Sequence, residues 1–207
     1  ITAAAEKAKV ALIEKHKMGG DCLNYGCVPS KALLAAARRA HLMRSTAAFG
    51  IRPVDPSIDP AAVCDHVQGV IAAIAPNDSA ERFMGLGVKV IPANGHFITP
   101  DTLLAGHQRI KARRFVIATG SSPIIPPIPG LDKVPFFTNE SIFQNRDKIG
   151  HLIVIGGGPV GLELAQAHAR LGSRVTVLEA AQALGNADPE LAEIVLKHLQ
   201  TEGLDIR

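Results

Sequence analysis

The chain is poor in aromatic side chains. It has no tryptophan, one tyrosine and seven phenylalanines in 207 residues, too few for a platform on which nucleic-acid bases could stack. Neither sign of charge dominates, since 22 Lys and Arg against 19 Asp and Glu leave a net +3. The pairs Arg38-Arg39 and Arg113-Arg114 read as solvated faces, so no nucleic-acid partner is expected. No apolar run approaches the roughly 20 residues of a membrane-spanning helix, and no membrane segment is expected. Cysteine is scarce too. Three cysteines cannot form the framework of a small secreted domain, and reactive thiols without such a framework point to the cytoplasm. What is plentiful is aliphatic: a hydrophobic content of 47% fits the buried elements of an α/β protein.

Two of the cysteines stand close together, in Gly19-Gly20-Asp21-Cys22-Leu23-Asn24-Tyr25-Gly26-Cys27-Val28-Pro29-Ser30-Lys31. Four residues separate them, a gap that a small disulfide ring can close if the backbone bends. Pro29 suits a first helical turn, and Ala32 to Arg39 is strongly helix-forming. Cys27 is therefore expected at or just before a helix N-terminus, where the macrodipole favours a thiolate. Lys31 adds a positive charge one turn later. Metal binding would need more ligands: His16 is near, but no second Cys or His pair has zinc-like spacing. Two adjacent thiols with one favoured as thiolate read as redox machinery.

This run resembles the active-site motif of the flavin-dependent pyridine nucleotide–disulfide oxidoreductases, the family of dihydrolipoamide dehydrogenase, glutathione reductase and mercuric reductase. Gly-Gly-Asp-Cys and the segment Ile74 to Phe83 are most similar to the mercuric reductase type.

The residues around it fit two dinucleotide-binding units. Ile1 to Ala8 reads as the tail of an Ala-rich helix, and Lys9 to Glu14 as a short buried strand ending in an acid. A helix, a strand and a terminal Glu make the second half of a βαβ unit whose Glu14 meets an adenosine ribose. The Gly-rich turn of such a unit lies about 20 residues upstream, and only thirteen residues precede Glu14. The first unit is therefore expected to lack its first strand and turn. The second begins at His151-Leu-Ile-Val-Ile155, followed at once by Gly156-Gly157-Gly158-Pro159-Val160-Gly161, a helix from Leu162 to Leu171, and a strand from Arg174 to Glu179. A strand-turn-helix context turns a bare G-x-G-x-x-G into a strong signal. Gly156 makes the tight turn, Gly158 lets backbone approach a pyrophosphate, and Gly161 permits close helix–strand packing. Glu179, 18 residues beyond Gly161, accepts from ribose hydroxyls and repels a 2′-phosphate, which favours NAD(H) over NADP(H). Asp188-Pro189 starts a last helix with a stripe of Leu191, Ile194, Val195, His198 and Leu199, and a further strand begins at Leu204.

Between the units lie a Pro-rich loop at 52–60, a helix carrying Ala61, Val63, Val67, Val70, Ile71 and Ile74, and a meander in which Val88–Ile91 and Gly95–Ile98 are strands. Cys64 sits on that helix as a core residue. Arg114–Ala118 reads as a strand running into Thr119-Gly120-Ser121-Ser122, and Ile124 to Gly130 as a crossover.

The expected fold is α/β, with two truncated Rossmann-like doubly wound units and a small β-meander: residues 1–145 for FAD and 146–207 for NAD(H). The resemblance implies that a C-terminal dimerisation domain is absent, and that the whole protein is a homodimer. It implies that Cys27 lies nearer the flavin, that Cys22 attacks the acceptor, and that Lys31 lies beside the flavin with Glu163 against it. Glu14, Gly20, Asp21, Gly95, Ala118, Thr119, Gly120 and Ser121 are expected at the FAD, and Gly156, Gly158, Pro159, Val160, Gly161 and Glu179 at the NAD(H). The acceptor is a small molecule or metal ion, with mercuric ion first and a lipoamide-type dithiol second. A nucleotide-binding fragment without catalysis is the reading of another class.

Overall fold

A computed structural model describes all 207 residues. The chain divides into two compact units, residues 1–28 with 69–140 and residues 29–68 with 141–207.

The first unit opens with α1 (Thr2–Ala5) and β1 (Val10–Glu14), then α2 (Gly20–Asn24) and the first residues of α3 (Cys27–Arg44). After α4 (Pro60–Ile74) and α5 (Ala80–Gly85) comes β2 (Val88–Pro92). β1 and β2 pair in parallel, Val10 opposite Val88 through Glu14 opposite Pro92. This corrects the expectation that Val88–Ile91 belongs to the meander. A strand pairs with whichever edge presents free N–H and C=O groups, and a local pattern does not carry that information. β1 is also half-buried throughout, where a buried strand was expected. The meander is β3 (Gly95–Thr99), β4 (Thr102–Ala105) and β5 (Gln108–Lys111), antiparallel in that order.

Arg114–Ala118 forms no ladder, against expectation. Val116 is 91% and Ile117 76% exposed. The β-branched run has the composition of a strand, but no strand of these residues lies beside it to complete its backbone hydrogen bonds. Phe115 alone finds a packing partner, edge-to-face on Phe97 with ring centroids 4.8 Å apart.

The second unit is built around β6 (His151–Ile155), α6 (Pro159–Arg170), β7 (Arg174–Leu178), α7 (Pro189–Thr201) and β8 (Asp205–Ile206). The sheet is parallel in the order β6-β7-β8, the arrangement of the first half of a doubly wound fold. Val175 and Val177 point into a core with Leu162, Ala165, Leu199 and Leu204. Asp188 caps α7 as expected, its Oδ1 accepting from the N–H groups of Glu190 and Leu191. The buried face of α7 is not the expected stripe. Leu191, Ile194 and Val195 are exposed, and Ala192 and Leu199 are buried. Helical periodicity names residues that share a face; the sheet decides which face it meets.

One ion pair lies inside this unit. Arg170 grips Glu202 through Nε at 2.7 Å and Nη2 at 2.6 Å, and Gln166 adds a third donor. Burial pushes the Glu202 carboxyl up, but the Arg170 fork outweighs it and holds it below the usual carboxylate range.

Cys64 is buried, its thiol 3.5 Å from the Phe143 carbonyl oxygen, as a core residue should be. It lines a 60 Å³ cavity with Val67, Phe143, Leu171 and His168. His168 Nε2 is sealed from solvent and has no protein partner. Burial pushes this imidazole down to about 4. Below the ordinary value of 6.5, the unfolded chain takes up a proton that the folded chain refuses. His168 thus contributes stability that is complete above pH 6.5 and is lost as the pH falls toward 4, by roughly 3 kcal/mol in all. Denaturant melts of the full-length protein across this range should show the loss, and His168→Gln should flatten it. An unchanged slope in the variant would assign the acid sensitivity elsewhere.

Candidate redox and nucleotide site

The thiol pair lies at a sharp joint between two helices. α2 is a single short turn that ends when the Tyr25 N–H donates to the Asp21 carbonyl at 2.8 Å. Asn24 ties the loop down by donating to the carbonyls of Met18 and Gly20. At Gly26 the chain passes so close to α2 that a Cβ would stand 3.1 Å from the Asp21 carbonyl oxygen and 3.4 Å from the Cys22 Cα. Cys27 then becomes the first residue of α3, with Pro29 in its first turn, where the macrodipole is positive. Both cysteines are exposed and not joined by a disulfide. The Cys22 thiol hydrogen-bonds the Cys27 side chain, and that bond, with some burial, pushes Cys22 above the usual thiol value. The Asp78 carboxylate adds to the same push, a contribution from 56 residues away that no local spacing announces. Lys17 stands over the Tyr25 ring, 5.6 Å from its centroid.

Lys31 reaches Glu163, with Nζ 2.6 Å from Oε2 and 2.8 Å from Oε1. The convergence is as expected, but its energetics differ. The side chains are 61% and 41% exposed, so solvent screens the pair and it contributes no more than about 1 kcal/mol. Glu163 follows from its place in α6, two residues after Gly161.

In the second unit the glycine turn is formed as the sequence implies. α6 begins at Pro159, with Gly158 before it. A Cβ at Gly161 would fall inside the contact radius of the Gly156 carbonyl oxygen and 3.3 Å from Val154 Cγ1. The helix can therefore approach the strand only with glycine there. Above Gly156 and Gly158 the space is open, a cradle at a helix N-terminus that fits a pyrophosphate. Glu179 follows the last residue of β7. Its carboxylate accepts from the N–H of Gly157 at 2.8 Å and of Ala181 at 3.0 Å, and the Gly157 bond holds it below the usual range.

In the first unit Glu14 accepts from the His16 N–H at 2.8 Å. Gly20, the first residue of α2, has open space above it. Gly95 packs under Leu103 and Ile13. Asp21 turns from α2 to the Thr119-Gly120-Ser121 turn and accepts from the Ser121 N–H at 3.2 Å. The structure thus brings Cys22 to Cys27, Lys31 to Glu163, Glu179 to the glycine turn, and Asp21 to residues 120 and 121. Two charged residues were not foreseen: Asp78, whose carboxylate acts on Cys22, and Lys17, over the Tyr25 ring.

The second unit holds a βαβ motif with a glycine turn, and the first holds a close thiol pair at a helix start; together they mark a Rossmann-like α/β protein. The chain belongs to the pyridine nucleotide-disulphide oxidoreductase family, whose signature covers residues 1–207. It is 34% identical to the mercuric reductase of Bacillus cereus over 207 residues, all of this chain and 33% of that protein. It is 30% identical to the dihydrolipoyl dehydrogenase of Acholeplasma laidlawii, covering 63% of it. Among solved structures it superposes on the Cu(II) complex of the HOCl-induced flavoprotein disulfide reductase RclA from Escherichia coli with a TM-score of 0.82. That match has 28% identity and covers 99% of this chain and 44% of that one. The chain thus spans a third to a half of the mercuric reductases and of the reductase structure it matches. No helix is long and apolar enough to cross a membrane.

The Gly161 contact yields a direct expectation. Gly161→Ala should destabilise the protein by roughly 1–3 kcal/mol, as overpacking does. Thermal melts check this; an unchanged midpoint would mean that the helix is free to retreat from the turn.

Proposed function

We propose that this chain is part of a flavin-dependent NAD(P)H oxidoreductase that passes electrons through a Cys22–Cys27 disulfide to a metal ion, in the manner of mercuric reductases. The observation that carries the reading is the thiol pair itself: two exposed cysteines in mutual hydrogen bonding, one of them the first residue of α3. Residues 1–145 supply the flavin side and residues 146–207 the nicotinamide side.

Glu14, Gly20, Asp21, Lys31, Gly95 and Ala118 to Ser121 are the residues that would hold FAD. Gly156, Gly158, Pro159, Val160, Gly161 and Glu179 would hold the dinucleotide. The open space above Gly20, Gly156 and Gly158 fits both groups. FAD, when bound, supplies two-electron transfer from a nicotinamide to a disulfide.

The chain's own part begins with the disulfide. It takes up two electrons and one proton, its S–S bond breaks, and it becomes one thiol and one thiolate. The helix N-terminus favours the thiolate at Cys27. The raised Cys22 retains the proton and gives it up when its sulfur bonds the acceptor. A mercuric ion takes two electrons to become the metal, so one NADH balances one ion. Lys31 steadies negative charge near the pair, and Glu163 offsets the lysine.

The match to a dihydrolipoyl dehydrogenase supports a second reading in which a lipoamide-type dithiol is oxidised to its disulfide and gives two electrons to the Cys22–Cys27 disulfide, the same exchange run in reverse. The whole protein is assigned to the cytoplasm as a homodimer, in keeping with its reactive thiols and its resemblance.

Steady-state assays on the full-length protein test the reading. NADH oxidation should depend on mercuric ion, fail in Cys22→Ala and Cys27→Ala, and exceed dihydrolipoamide turnover. NADH should outperform NADPH at least about tenfold, the rate equivalent of roughly 1.4 kcal/mol of repulsion between Glu179 and a 2′-phosphate. Preference for dihydrolipoamide would move the protein to the second reading, and equal use of NADPH would overturn the role given to Glu179.

A further inference from the structure

Asp21 is bonded at both ends. Its backbone carbonyl accepts the Tyr25 N–H at 2.8 Å, and the same oxygen stands where a side chain on Gly26 would have to go. Asp21 is thereby the fixed end of the loop between the two thiols. Its side chain leaves in another direction. Oδ2 accepts from the Ser121 N–H at 3.2 Å, and a Cβ on Gly120 would stand 2.7 Å from that oxygen and 3.3 Å from Oδ1. Gly120 has φ +69°, a conformation that disfavours any side chain. The carboxylate therefore rests on the bare backbone of the 120–121 turn, 100 residues away in sequence.

We propose that Asp21 is a positioning residue for the thiol pair. Its carboxylate clasps the Gly120–Ser121 turn while its carbonyl pins the Cys22–Cys27 loop, and together they fix where the Cys22 thiol points. This rests on the redox reading above and sharpens it: Asp21 acts on the thiols through the turn and the loop. Asp21 directly precedes Cys22, and α2 is only five residues long with Leu23 as its one buried side chain, so the clasp is a second anchor for a short helix. Without the clasp, Cys22 samples more orientations.

The test uses the full-length protein, reduced with dithiothreitol and treated with iodoacetamide, with each cysteine followed by mass spectrometry. Asp21→Ala should raise the alkylation rate of Cys22 about fivefold, as fits the loss of one hydrogen bond. Buried Cys64 should not change. Asp21→Asn keeps an acceptor oxygen and should stay within about twofold of the parent, since the clasp needs an acceptor and not a charge. Gly120→Ala should mimic Asp21→Ala, and the double variant should be no faster than either single, the non-additivity of residues in contact. The proposal is overturned if Cys22 is unmoved in Asp21→Ala, if Cys64 rises with it, or if Asp21→Asn matches Asp21→Ala. Whether NADH reduces the Cys22–Cys27 disulfide in the parent protein is measured separately. A failure there would sink the redox reading and leave the alkylation comparison standing.

Discussion

The passage of the chain at Gly26 is the constraint on which the rest of the site depends. Any side chain there would press on the Asp21 carbonyl and the Cys22 backbone. With glycine there the passage is free of that pressure, and α2 stops and α3 starts within two residues. That brings the Cys22 and Cys27 side chains together and makes Cys27 the first residue of an 18-residue helix. The helix direction then determines the next placements. Lys31 follows one turn later, and Arg44 ends the helix by binding the Arg170 carbonyl and Asp55. A longer connection would keep the composition of the motif and lose its geometry, since two thiols on independent elements need not come within bonding range.

The electrostatics divide by burial. Arg170 and Glu202 are 15% and 7% exposed, so separating them would leave a charge without a partner in a poorly solvated place, at a cost of several kcal/mol. That pair serves folding. Lys31 and Glu163 are far more exposed, and separating them costs little. A weak pair leaves the lysine able to turn toward another negative charge without a large penalty for leaving its carboxylate. Glu179 follows the same logic. Its bond to the Gly157 N–H keeps the carboxylate ionised and aimed over the glycine turn, while its exposure leaves it able to exchange that donor for another.

What could be read from the sequence was what is local. The strand, glycine turn, helix and second strand from His151 to Leu178 follow from period and turn chemistry within thirty residues, and each formed where expected. The thiol pair and its helix start were legible for the same reason. The misreadings were all non-local. Val88–Ile91 has the pattern of a strand, but that it would pair in parallel with β1 depends on an edge 78 residues earlier, Val10 opposite Val88. Val116 and Ile117 favour a strand by composition, and composition cannot supply a neighbour. On α7 the bulky residues Leu191, Ile194 and Val195 suggested the buried face. Of the expected stripe Leu199 does join the core with Val175 and Val177, and the small Ala192 is buried beside the exposed bulky residues.

The same distinction explains why the Lys31–Glu163 contact could be anticipated and the Asp21–Ser121 contact could not. The first joins two residues whose positions are each dictated by a local motif: one turn past Cys27, and two residues past Gly161. Once both motifs are known, the pairing is a matter of charge. The second joins a motif residue to a bare backbone N–H in a turn whose only sequence mark is Gly120. A backbone donor looks the same at every position, so nothing in Ser121 advertises that it is bound. Only the left-handed conformation at Gly120, and the absence of room for a Cβ beside it, reveal that a carboxylate occupies the space. Contacts to the main chain are thus the part of a site that a sequence conceals best. Here that contact holds Asp21, the residue next to Cys22.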